Sequence, residues 1–119
     1  MLTNFEDYTQ DLTFEELAIV SDVCNIVSKY SKSNPIKARH LVDSIKIHLH
    51  TNNIDVRFDE VRLRKIVSHV RANGIMPILA TSKGYFVSYD PDDVCSQVQS
   101  LAERSQRIDR CAEGLLKFT

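Results

Sequence analysis

The run Val61-Arg62-Leu63-Arg64-Lys65-Ile66-Val67-Ser68-His69-Val70-Arg71-Ala72-Asn73-Gly74, with Met76-Pro77-Ile78 and Ser82-Lys83-Gly84-Tyr85-Phe86 after it, decides how this chain folds. Leu63, Ile66, Val67 and Val70 recur at helical spacing and make one compact apolar stripe. Asp59 is a cap residue ahead of it, and Asn73-Gly74 supplies a left-handed stop behind it. At about 100° per residue, Val61, Lys65, Ser68 and Ala72 fall opposite the stripe, with Arg62, Arg64 and His69 flanking them. That far face is expected to look at solvent or at a partner. Pro77-Ile78-Leu79-Ala80 and Tyr85-Phe86-Val87-Ser88-Tyr89 are β-rich and separated by Thr81-Ser82-Lys83-Gly84. They predict a hairpin in which Gly84 is available for a positive φ.

Working outward, Thr13 and Glu16 have the spacing of a capping box, and Leu12 with Leu17 that of a hydrophobic staple. A helix is expected from there to about Ser31, with Leu17, Val20, Cys24 and Val27 on one stripe and Ile19, Val23, Ile26 and Tyr30 on the next. Ser31-Lys32-Ser33-Asn34-Pro35 is turn chemistry. Ala38, Leu41, Val42, Ile45 and Leu49 then give a second amphipathic helix of about three turns. Asn52-Asn53 and the alternating Ile54, Val56 and Phe58 predict a turn and an extended connection anchored to the core. Downstream, Asp90-Pro91-Asp92-Asp93 is a strong helix start, and the closing helix should run almost to Phe118.

The order is helix, helix, helix, hairpin, long helix. Three helices and a hairpin are the layout of a winged helix-turn-helix domain, so the expected class is mainly α with a small β-hairpin wing, plus a long C-terminal helix. The connection from about His50 to Phe58 is longer than a usual helix-turn-helix turn. Three segments are expected: an acidic N-terminal arm (1–12), a winged-helix domain (13–89) and a C-terminal helix (90–119).

The residues themselves resemble small winged-helix proteins of tailed bacteriophages and prophages. The resemblance rests on the third-helix run ending in Arg71-Ala72-Asn73-Gly74, on Pro77-Ile78, on Lys83-Gly84-Tyr85-Phe86 and on Ser100-Leu101-Ala102-Glu103-Arg104. It covers about residues 13–118. It implies a phage-type regulator of transcription or replication in the cytoplasm of a bacterial host.

At 119 residues, with 43% hydrophobic and 26% charged side chains, the chain is sized for one core and matches neither a disordered nor a fibrous composition. No stretch reaches about eighteen consecutive apolar residues, and no basic segment leads into an apolar one near Met1, so neither a membrane span nor a secretory signal is expected. Cys24, Cys95 and Cys111 have no CxxC spacing and read as buried or half-buried reduced thiols.

The net charge of −1 hides a strong asymmetry. Residues 1–35 carry −4, residues 36–89 carry +5 and residues 90–119 carry −2. His40, His48, His50 and His69 all fall in the basic block. Since the positive charge coincides with the segment a winged helix presents to DNA, double-stranded DNA is the expected partner. Arg62 and Lys65 would reach guanine edges or phosphates, Ser68 and His69 would hydrogen-bond to bases, and Val61 would meet a thymine methyl. Ser82 and Lys83 at the wing tip, and Arg57 before the third helix, complete the set. Arg64 and Arg71 flank the apolar stripe, where a structural role, pairing with carboxylates of the first helix or capping carbonyls, stands beside DNA contact, so they are left out of the leading set.

His48 and His50 lack a second ligand pair and are ascribed to the helix C-terminus rather than to a metal. No nucleophile, acid-base pair or phosphate loop comes in a recognisable context, so neither an enzyme nor a cofactor is expected. Val94, Val98, Leu101, Ser105, Ile108, Ala112 and Leu115 alternate spacings of four and three, the seam of a coiled coil, weakened by its Ser and Ala. A homodimer is expected through Val94, Val98, Leu101, Ile108 and Leu115, the alternative being that the seam folds back on the first helix of its own chain. The rival reading keeps the fold but makes it an adaptor that holds a phage or host protein instead of DNA.

Overall fold

The computed structural model describes residues 11–118; most of the expected acidic arm lies outside them. Two units divide the chain, one ending at Ser88 and one beginning at Tyr89. The first holds α1 (Phe14–Ala18), α2 (Val20–Val27), α3 (Ala38–Thr51), α4 (Glu60–Ala72), β1 (Ile78–Thr81) and β2 (Gly84–Val87). The second is a single helix, α5 (Pro91–Leu116).

The capping box forms as its spacing requires. The Glu16 N–H donates to Thr13 Oγ1 at 3.2 Å, and the Thr13 N–H donates to Glu16 Oε1 at 2.9 Å. The single first helix expected from the sequence is, however, two. At Ile19 the backbone leaves helical geometry (φ −108°, ψ 5°), and its N–H reaches back three residues to the Glu16 carbonyl at 3.2 Å. Tightening the turn there brings both Glu16 and Ile19 inward. Leu17, assigned to the buried stripe and the staple, is instead exposed. Helix α2 ends at Val27, a turn earlier than expected, where the chain folds through residues 28–35.

Ile19, Val23 and Val27 of the first helical pair, Leu41 and Ile45 of α3, Leu63, Ile66 and Val70 of α4, and Ile78 of β1 build one core. Phe58 anchors the connection between α3 and α4, with Ile54 and Val56 packed alongside. Asn53 takes φ 56°, which any residue but Gly or Asn would resist, and Asn52 Nδ2 donates to the His48 carbonyl at 2.8 Å to close the end of α3. Asp59 caps α4 as expected, accepting from the Arg62 N–H at 2.9 Å.

The hairpin is antiparallel, with Ile78 opposite Val87 and Thr81 opposite Gly84. A single β-bridge meets its β2 edge: Ile36, between α2 and α3, exchanges both backbone hydrogen bonds with Tyr85, at 2.9 and 2.7 Å. The sheet itself has two strands, β1 and β2. Gly84 takes φ +132°, and a Cβ there would run into the Ile36 carbonyl and the Lys37 nitrogen. Glycine is thus required where the strands approach, as well as by the turn.

Asp90 caps α5, accepting from the Asp92 N–H at 2.9 Å, with Pro91 in the first turn. The helix runs 26 residues, about 39 Å, and none of them is buried. Cys95 and Cys111 are accordingly exposed rather than half-buried, and only Cys24 lies in the core, where burial raises its thiol pKa. Among the described residues no helix is long and apolar enough to cross a membrane.

Candidate nucleic-acid interface

Helix α4 places Leu63, Ile66, Val67 and Val70 in the core, as their spacing demands. Its far side carries the side chains singled out for contact with DNA, and the structure sorts them into two groups.

Lys65 and Arg62 do not stand free on that face, contrary to expectation. Lys65 Nζ donates to Glu16 Oε1 at 2.8 Å, and Arg62 Nε lies 3.3 Å from Glu16 Oε2. Arg62 also approaches Glu15 Oε2 at 3.6 Å and donates to the Arg57 carbonyl. Glu16 itself is 1% exposed. Burial pushes its carboxyl pKa up, but hydrogen bonds from Lys65 and the Thr13 N–H, with the charges of Lys65 and Arg62, overcome this and hold it below the usual carboxylate value. Both oxygens of a capping-box carboxylate are thus occupied by cations of α4. Arg62 and Lys65 thus make the pairing with first-helix carboxylates that was one of the two structural roles considered for Arg64 and Arg71; Arg71 takes the other, capping a carbonyl, and Arg64 takes neither.

Arg64 projects outward, its side chain 62% exposed, with only a 4.0 Å approach to Glu60 one turn back. Along the same ridge lie exposed Val61, half-buried Ser68 and exposed Ala72. His69 is half-buried at the edge of the ridge, its carbonyl accepting from Asn73 Nδ2 at 2.8 Å. Arg71 behaves as a carbonyl cap: its Nε donates to the Ile78 carbonyl at 2.7 Å and ties α4 to β1.

The hairpin turn is a second exposed place. Ser82 and Lys83 are both exposed, the Lys83 N–H donates to Thr81 Oγ1 at 3.2 Å, and Lys37 Nζ donates to the Ser82 carbonyl at 2.7 Å. That bond holds the turn to the start of α3. Arg57 is exposed just ahead of α4.

Sequence reasoning passed over the outer face of α3, where Arg39, His40, Lys46 and His50 are all exposed. Their helical angles, opposite Leu41, Ile45 and Leu49, were the signal that could have found them. His48, at the edge of that face, points inward: its Nε2 lies 2.9 Å from Asp22 Oδ1 and links α3 to α2. The described residues contain no group of His, Cys, Asp and Glu that could hold a metal ion. An exposed cationic surface can bind phosphates, and a ridge with Arg, Ser and a small apolar side chain can read base edges. No protein-family model, curated protein or solved structure matches this chain.

Proposed function

We propose that the unit ending at Ser88 is a winged helix-turn-helix module that binds double-stranded DNA, with α4 in the major groove and the Ser82-Lys83 turn as the wing. The observation that carries this reading is the ridge Val61, Arg64, Ser68, Ala72, turned outward by a helix whose opposite side is locked in the core. Three features support it. The hairpin β1–β2, bridged by Ile36, follows α2, α3 and α4, the element order of a winged helix. The exposed cations of α3, the turn and Arg57 belong to the same unit. Lys37 fixes the turn that would carry Lys83 to a phosphate.

Arg64 takes the place of Lys65 as the leading base or phosphate contact. Arg62 and Lys65 serve as the scaffold that fixes the pitch of α4 against α1, and reach DNA only by leaving Glu16. Following the resemblance to phage proteins, the role is a non-catalytic regulator of transcription or replication.

The test is a titration of fluorescent random-sequence duplex at low salt. Replacing Arg64 and Lys83 together by Ala should weaken binding about tenfold or more and flatten the salt dependence by one to two phosphate contacts, as two lost cations require. Equal binding by the double variant and the wild type would remove α4 and the wing from the interface. One observation favours a protein-binding adaptor instead: two of the basic side chains of α4 are already neutralised from within. Absence of duplex binding at low salt would select that reading.

A further inference from the structure

From α5 we infer that the chain pairs with a second copy of itself through a parallel, in-register two-stranded coiled coil. The inference stands whether or not the first unit binds DNA. Leu101 is 40% and Ile108 47% exposed on a helix with no buried residue. Spacing assigns Val94, Leu101, Ile108 and Leu115 to the d positions of a heptad, and Val98, Ser105 and Ala112 to the a positions. Val98 at a with Leu101 and Leu115 at d is the two-strand pattern, while Val94 and Ile108 at d do not add to it, so the strand number rests on the charges at the seam's edges.

What identifies the occupant as this same chain, and sets its direction, is charge. Arg104 falls at g and Asp109 at the e position five residues later. Within one helix these two point about 140° apart and cannot meet. No cation lies three or four residues from Asp109, where Ser105, Gln106, Ala112 and Glu113 stand. In a parallel pair, g of one helix lies beside the following e of its partner, so Arg104 and Asp109 form two symmetric opposite-charge contacts across the seam. The other such pairings, Gln97 with Ala102 and Cys111 with Leu116, carry no charge and no conflict. An antiparallel pair sets g against g and e against e. Arg104 would then face Gln97, Arg104 or Cys111, and Asp109 would face Cys95, Ala102, Asp109 or Leu116. That orientation contains no attractive charge pair at these positions, and two of its registers set like charges together, Arg104 on Arg104 or Asp109 on Asp109.

The experiment uses the full chain. Sedimentation equilibrium should give a concentration-dependent mass rising to twice that of the chain. Arg104→Asp should raise the dimer dissociation constant about tenfold, because both contacts become repulsive. Adding Asp109→Arg should bring it back within about threefold of wild type, a rescue that contacts inside one helix cannot give. Both positions are exposed, so circular dichroism should show every variant still helical. In a Cys95→Ser/Cys111→Ser background, Val98→Cys and Ala112→Cys should each form a disulfide with its own copy under mild oxidation, since a positions face each other in the parallel arrangement. A monomer at all concentrations overturns the inference. So does a dimer whose double charge variant is no tighter than Arg104→Asp, or one in which neither cysteine variant links to itself.

Discussion

The two units of this chain are held by opposite means. In the first, α1 to α4 and the hairpin share a core in which nearly every apolar stripe has a partner, and even the deeply buried carboxylate of Glu16 is matched by two cations. In the second, α5 has an apolar seam at regular spacing, interrupted by Ser105 and Ala112, yet none of its residues is buried. Apolar periodicity therefore shows which face must be covered without showing what covers it. In the first unit the cover is the rest of the fold, and each substitution there should be felt by the whole unit. In the second, no side chain of the helix is buried, so substitutions away from the seam should stay local.

The largest effect should come from Leu63→Ala. The side chain is fully buried at the junction of α4 with the core, and its removal leaves a cavity as well as lost apolar contact. A loss of about 3–4 kcal/mol in urea unfolding is expected. A loss below about 1 kcal/mol would break the comparison, since the first unit would then be no more tightly packed than α5.

Gly84→Ala comes next, at about 2–3 kcal/mol. The added methyl meets backbone atoms of Ile36 and Lys37, which cannot rotate away, and φ +132° is a conformation that alanine resists. Loss of amide protection at Tyr85 and Ile36, whose mutual hydrogen bonds close that edge, is the specific readout. Unchanged protection there would show that the Ile36–Tyr85 bridge contributes little.

Glu16→Gln should cost about 2 kcal/mol, less than a fully buried pair would, because Lys65 and Arg62 retain about a fifth of their exposure and can turn to water. The pH dependence has a definite sign. Since the folded-state pKa of Glu16 is lowered, the unfolded chain binds the proton more readily between the two values, and stability there rises with pH. The contribution is complete above the ordinary value of 4.5 and is lost as pH falls through the lowered folded value. Acid titration of wild type should show this loss, and Glu16→Gln should lack it. On the DNA-binding reading, the same variant should bind duplex more tightly because it releases two cations on α4.

Glu16 also marks the limit of what the sequence discloses. Thr13 with Glu16, Asp59 with Arg62 and Asp90 with Pro91 are local patterns, and each produced the helix start it predicted. The stripe on α4 and the hairpin around Gly84 were equally legible, for the same reason. The break at Ile19 was not, because it depends on how α1 must turn for Glu16 and Ile19 to face inward together, and no neighbouring residue records that. A capping box satisfies Glu16 locally and leaves no sign that its carboxylate will be used by Lys65, 49 residues away. The helical wheel placed the backbone of Lys65 and Arg62 correctly on the outer half of α4. It fixes only where Cβ points, however, and a long side chain can swing sideways to a buried acid. Arg64 instead approaches exposed Glu60, at 4.0 Å, and remained outside.

Gly114→Ala should have the smallest effect and the opposite sign to Gly84→Ala. Gly114 lies inside α5 with an ordinary helical φ, and a Cβ there would meet nothing within 4 Å. It falls at position c of the heptad, away from the seam. Alanine then removes freedom from the unfolded chain and adds helix propensity with no strain, a gain of about 0.5–1 kcal/mol confined to the helix. The readout is slower amide exchange over the last turns of α5, with the urea midpoint of the first unit unchanged. If exchange there quickened instead, Gly114 would be a point of close approach to another backbone. The contrast between a covered unit and a bare helix would then fail at the end of α5.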